Sequence, residues 1–280
     1  MQQPQNPSKG FITVATKRET FLIAAHNLCQ SILDHHEDAK VTLFTEQRFI
    51  DDPNMQHHFT DFDQVIATPG GSNREKMWGM ANTPYDLTFY LDADTEIVHN
   101  DIANVFDHIN DDDMVYVNLT KEGAKHFAEW NWGPNLYDDG WRGVPDHLAH
   151  CGGVALYDTR NPLVKEFMFD WYDLYLNQRI GQWRPNEFKN VKTSFTQWDQ
   201  LTLWWLLYHS PKYKSIKWNF FKDNYRWNYF SSFGFNTDGT HNCHLVDPKR
   251  DYWKTNGHPV VNHYSSWMDK YGDKGFLLCQ

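Results

Sequence analysis

The sequence predicts an α/β protein whose first half builds a parallel sheet. Three observations carry this. Short β-branched apolar runs recur through the first hundred residues. Helical periodicity separates them. No internal repeat, low-complexity tract or linker interrupts the chain. Alternation of strand and helix is the pattern of parallel strands joined by crossover helices. At 280 residues the length fits one large domain, expected over residues 10–280 behind a flexible tail at 1–9.

The elements follow in order. Residues 11–16 (FITVAT) form a short buried-type strand. Phe21, Ala25, Leu28 and Ile32 then fall on one helical stripe, with Thr16 or Thr20 as the expected cap. Residues 41–44 and 64–67 are the next strands. Residues 69–73 (PGGSN) are a loop. A helix near 73–82 leads into the strand 87–91 (LTFYL). Ligands of such sheets bind at the carboxyl ends of the strands. The functional residues are therefore expected just after Thr16 and just after Leu91. Further on, residues 114–117 and 154–157 read as strands, and 163–176 and 200–208 as helices. Residues 210–258 show too little periodicity to assign.

Composition excludes several roles. Lys plus Arg number 26 against 36 Asp plus Glu, a net charge of −10. Nucleic acid and anionic membranes both select basic surfaces. No run reaches the roughly 20 apolar residues of a membrane helix. The polar opening MQQPQNPSKG does not match a secretion signal. The cysteines (Cys29, Cys151, Cys243 and Cys279) form no CxxC pair, which suits free thiols in a reducing cytoplasm. The Asn118-Leu119-Thr120 sequon is then a chance match. Aromatic residues make up 16% of the chain. They serve either a large core or the apolar faces of sugar rings.

The strongest chemical signal is Asp92-Ala93-Asp94. Alternate residues of an extended chain point the same way, so both carboxylates reach one place at a strand end. Hard oxygen ligands suit Mg²⁺ or Mn²⁺. A divalent cation also lets an acidic protein accept a doubly charged diphosphate. The run Asp111-Asp112-Asp113 lies between a helix and a strand and reads as solvated turn chemistry. His241, Cys243 and His244 lack a partner pair at zinc-ligand spacing. His35-His36 and His57-His58 are expected to be solvated. Trp204-Trp205 is expected in the core.

The segment at 76–95, KMWGMANTPYDLTFYLDADT, resembles the central motif of glycosyltransferases with the GT-A fold. It is most similar to family 8, the glycogenin and bacterial galactosyltransferase group. The matching residues are Lys76, Trp78-Gly79-Met80, Tyr85 and Asp92-Ala93-Asp94. Cys151-Gly152-Gly153-Val154 resembles that family's strand at the donor sugar. Gln197-Trp198-Asp199-Gln200 resembles its Asp-Gln pair, and Val260-Val261-Asn262-His263-Tyr264 its terminal strand ending in histidine. Residues 11–21 resemble the strand and turn that hold uracil. Together these cover most of the chain from 10 to about 270.

The resemblance implies a Rossmann-like GT-A fold with a mixed central sheet flanked by helices. It implies Mn²⁺ or Mg²⁺ held by Asp92, Asp94 and His263. Donor-binding positions carried over are Thr13, Ala15, Phe21, Lys76, Asp92, Ala93, Cys151, Gly152 and Gly153. Lys76, Asp199 and Gln200 carry over as catalytic residues. The implied reaction moves glucose or galactose from a UDP-sugar to a carbohydrate or protein acceptor with retained configuration. Cys151 stands where the family usually has Asn, and Phe21 where Tyr is common. The Lys-Pro-Trp that follows the family's metal histidine is absent. Asp199 has a plainer role open to it, as a helix cap. Two other classes remain: an inverting transferase or another nucleotide-sugar enzyme on this fold, and a carbohydrate-binding protein without turnover.

Overall fold

The computed structural model describes residues 7–70, 75–109, 112–118, 150–179, 199–208, 210–222, 224–230 and 258–263. Ten strands and six α-helices are defined among them.

A seven-stranded sheet forms the centre. Its strands are β1 (Lys9–Ala15), β2 (Val41–Glu46), β3 (Gln64–Thr68), β4 (Leu87–Leu91), β6 (Met114–Asn118), β7 (His150–Asp158) and β8 (Trp218–Phe220). They lie in the order β3-β2-β1-β4-β7-β6-β8. The first four are parallel. β7 runs antiparallel to both β4 and β6. The sheet is therefore mixed, as expected.

Strands covered on both faces read as continuous apolar runs rather than alternating ones. The burial pattern shows where each residue goes. Phe11, Leu43 and Phe89 enter one core cluster. Their sequence neighbours Ile12, Phe44 and Tyr90 enter the other. Helix α1 (Glu19–His35) covers the first face with Leu22, Leu28 and Ile32. The second face is covered by α3 (Lys76–Ala81), α4 (Pro162–Arg179) and α5 (Asp199–Tyr208). These supply Met77, Phe167, Trp171 and Leu203. Each such side chain contributes about 1.5–3 kcal/mol by leaving water.

The expected threonine cap on α1 is not made. Arg18 is the N-cap residue, without a side-chain bond. The turn is tied to the end of β2 instead. Lys17, at φ 75°, donates its backbone N–H to Glu46 Oε1 at 2.6 Å. Arg48, in the one-turn helix α2 (Gln47–Ile50), binds Glu46 Oε2 at 2.6 Å and the Lys17 carbonyl at 2.8 Å.

A second, three-stranded sheet comprises β5 (Thr95–Ile97), β9 (Tyr229–Phe230) and β10 (Val261–His263), with β10 in the middle. β9 follows α6 (Asn224–Trp227). The antiparallel register pairs His263 with Thr95.

Two histidine expectations are corrected. His58 is buried against His26 and His57. His35 is half-buried and its Nδ1 lies 2.6 Å from Asn100 Oδ1. Asp113 is half-buried and ties β6 to the residues before β8: its N–H donates to the Lys217 carbonyl at 2.9 Å and its Oδ2 accepts from Lys217 N at 3.1 Å. His241, Cys243, His244 and Cys279, Asp111, and Leu119-Thr120 of the sequon lie outside the described residues. No described helix is long and apolar enough to cross a membrane.

Candidate active site

The strand β4 ends at Leu91, and a tight turn follows. Asp92 donates its N–H to the Gly153 carbonyl at 2.8 Å, and the Asp92 carbonyl accepts from Thr95 N at 3.1 Å. Thr95 Oγ1 binds the same carbonyl at 2.7 Å. This turn holds both aspartates at the carboxyl end of the sheet. β10 brings His263 to the same place, because its partner Thr95 directly follows Asp94. One ligand atom from each of Asp92, Asp94 and His263 lies within 4.8 Å of the others. His263 Nε2 is 3.4 Å from Asp94 Oδ1. Two carboxylates and an imidazole fit Mn²⁺ or Mg²⁺ with coordination positions left for a substrate.

Lys76, in the first turn of α3, reaches into the same region. Its ammonium lies 2.8 Å from Asp199 Oδ2 and 3.4 Å from Asp92 Oδ1. Lys76 and Asp199 are both buried. A buried ion is tolerated only with its counter-charge in place. Asp199 is itself the first residue of α5. Its carbonyl accepts from Trp171 Nε1 and Thr202 Oγ1, each at 2.8 Å. The Asp199 carboxylate therefore meets an ammonium, a use beyond helix capping.

The two glycines of β7 leave the room this needs. A Cβ on Gly152 would stand 2.9 Å from Asp199 Oδ2 and 3.4 Å from Lys76 Nζ. A Cβ on Gly153 would stand 2.6 Å from Asp92 Oδ2 and 2.7 Å from His263 Cε1. Neighbouring residues of a strand face opposite ways. The glycine pair thus runs between the Lys76–Asp199 half of the site and the Asp92–His263 half.

Two groups respond to this setting. Burial by itself would raise the Asp94 carboxyl. The charge and hydrogen bond of His263 outweigh it, so Asp94 titrates below its ordinary range. The buried Tyr90 hydroxyl is pushed well above its ordinary range, first by burial and then by the Asp92 charge. It stays protonated and donates to Asp92 Oδ1.

The structure thus brings Lys76, Asp92, Asp94, Gly152, Gly153, Asp199 and His263 together. Ala93 is buried between the two aspartates. Thr13 and Ala15 are buried in β1, and Phe21 packs half-buried in the first turn of α1. No described bond joins these three to the acidic cluster. Cys151 and Gln200 sit in β7 and α5, and their side chains lie outside the described residues. Sequence reasoning missed Tyr90, Trp171 and Asn228. Tyr90 was findable, since it stands two residues before Asp92 and so shares its face of the strand. Asn228, which meets His263 Nδ1 at 2.7 Å, left no sequence signal.

The sheet order, the antiparallel β7 and the carboxylates at the end of β4 give the chain an α/β fold of the GT-A type. Among solved structures, the chain is similar to the WbbM bifunctional glycosyltransferase. The TM-score is 0.55 at 10% identity, over 95% of this chain and 47% of that one. It is also similar to the glycosyltransferase GlyE of Streptococcus pneumoniae TIGR4. That TM-score is 0.50 at 15% identity, over 91% of this chain and 55% of that one. The chain spans about half the length of either. No family model and no curated protein matches the chain.

Proposed function

We propose that the protein is a metal-dependent glycosyltransferase. It transfers a hexose, glucose or galactose, from a UDP-sugar to a carbohydrate or protein acceptor with retained anomeric configuration. One observation carries the reading: Asp92, Asp94 and His263 converge beside a buried Lys76–Asp199 pair. The GT-A fold and the family 8 resemblance of residues 76–95 support it. The reading treats residues 10–280 as one working unit.

In this reading Asp92, Asp94 and His263 hold Mn²⁺ or Mg²⁺. The cation, when bound, supplies Lewis-acid stabilisation to the departing diphosphate. Thr13, Ala15 and Phe21 take the nucleoside, as the resemblance implies. Gly152 and Gly153 line the donor-sugar side of the site, and their missing side chains let Asp199 and Asp92 lie close against β7 there. Lys76 keeps Asp92 and Asp199 from repelling each other and offers positive charge to a donor phosphate or hydroxyl. Asp199, with Gln200 beside it, stabilises the positive charge that develops on the anomeric carbon as the bond to phosphate lengthens.

The experiment is UDP release from a panel of UDP-sugars with Mn²⁺, run beside Asp94→Ala and an EDTA control. The expected result is turnover of one donor that both controls abolish. Release that persists in EDTA refutes the metal dependence. Mn²⁺ and UDP bound without turnover of any donor, across a set of sugar and protein acceptors, would make this a binding protein.

A further inference from the structure

We infer that Asn228 is a positioning residue for the cation site: it holds His263 in the tautomer whose Nε2 lone pair faces the aspartates. The inference deepens the proposed function and rests on its metal site.

His263 is buried, and its two ring nitrogens have different neighbours. Nδ1 lies 2.7 Å from Asn228 Oδ1, and Nε2 lies 3.4 Å from Asp94 Oδ1. An amide oxygen only accepts, so the bond requires the proton on Nδ1. When the ring is charged, Nε2–H faces Asp94 Oδ1 at 3.4 Å. With Nδ1–H held by Asn228, the Nε2 proton is the one that leaves, and the neutral ring then presents a lone pair at Nε2, the form a metal takes. The opposite tautomer would put a proton where the cation belongs.

Asn228 makes a poor packing residue. It is 5% exposed. Its amide nitrogen is buried without a hydrogen-bond partner among the described residues. An unmet buried N–H disfavours the folded state, and an apolar residue of that size would avoid it. The one side-chain bond described for Asn228 is the one to His263.

The backbone around Asn228 is also pinned. Asn228 sits between α6 and β9. β9 pairs with β10 so that Phe230 faces His263. Arg226, two residues earlier, binds the His258 carbonyl through Nε at 2.7 Å and the Asp101 carboxylate through Nη2. The Arg226 carbonyl accepts from Val260 N at 2.6 Å. Asn228 and His263 therefore hang from one fixed frame. Outer partners of this kind are worth about 10–100-fold in metal affinity.

Two measurements test this on the full chain. Long-range ¹H–¹⁵N spectra of histidine-labelled, metal-free protein above neutral pH report the His263 tautomer, assigned with His263→Gln. A proton on Nδ1 is expected; a proton on Nε2 overturns the inference, and this needs no Asn228 variant. Electron paramagnetic resonance titration with Mn²⁺ then compares Asn228→Leu with Asn228→Asp. Leu is expected to weaken binding about 10–100-fold, and Asp, which keeps an acceptor, to stay within a few-fold of the parent. A Leu variant that binds like the parent, or binds better than Asp, means a packing role and overturns the inference. Wild-type protein that binds no Mn²⁺ would instead sink the proposed metal site, while the tautomer spectrum still decides the assignment of Asn228.

Discussion

At the scale of single residues, the site turns on how little space surrounds its charges. Lys76 separates two carboxylates, so Lys76→Met leaves Asp92 and Asp199 facing one another in a buried setting. Breaking such a pair costs about 3–5 kcal/mol of stability. Losing one electrostatic contact at the reacting centre cuts turnover roughly 10²–10³-fold. Melting curves and UDP release should show both losses together. Turnover within twofold of the parent would remove Lys76 from the mechanism. Gly153→Ala tests the glycine pair. Its Cβ would meet Asp92 Oδ2 and His263 Cε1 at under 3 Å. Mn²⁺ affinity should therefore fall by at least about tenfold, as it does when ligand orientation is disturbed. Unchanged affinity would mean the two ligands can shift aside freely. Tyr90 acts differently: its protonated hydroxyl donates to Asp92, and Tyr90→Phe would remove that donor while keeping the ring.

At the scale of elements, α1 shows what helix periodicity reveals and what it hides. Its stripe of Ala25, Leu28 and Ile32 was legible and is buried. Its start was not, because the Lys17 turn is fixed by Glu46 and Arg48 about thirty residues away. Cys29 lies on the buried side of α1 and donates to the Asp61 carbonyl at 3.4 Å. Burial, and then the charges of Asp61 and Asp63, push its thiol up to about 12. The thiolate is the reactive form. Cys29 should therefore resist alkylation in the native protein at mildly alkaline pH and react once urea unfolds it. Peptide mass spectrometry would read this, and rapid native labelling of Cys29 would contradict the packing of α1 on the sheet. The first four strands were legible because each is an apolar run bounded by turn residues. β5, β9 and β10 have two or three residues each. Such strands are stable only through their partners, and pairing across 262 − 229 = 33 positions for β9 with β10 and at least 261 − 97 = 164 for β5 with β10 leaves no local pattern. β10 was found through the family resemblance of its histidine, and β5 and β9 went unseen.

At the scale of the whole molecule, two sheets meet at the site, and ligand binding should brace both. A ligand at a hundred times its Kd adds about 2.7 kcal/mol to stability. Mn²⁺ with UDP should therefore raise the melting temperature by several degrees, and EDTA should reverse it. A shift equally large in Asp94→Ala would place the cation elsewhere. Acid should act through the same residue. The Asp94 carboxyl is depressed in the folded state. Its contribution to stability is therefore present above its unfolded value of about 3.9 and is lost as pH falls through the lower folded value. The stability advantage of the parent over Asp94→Asn, measured by urea midpoints, should shrink on acidification across that window. An advantage that grows there would reverse the assigned sign. The ligand set also has a temporal side. Asp94 and His263 are 263 − 94 = 169 positions apart in sequence. During synthesis the ribosome can release β1 to β4 long before β10 exists. A nascent or prematurely stopped chain can carry the Asp92–Asp94 turn and still lack His263, so the three side chains come together only after His263 clears the exit tunnel.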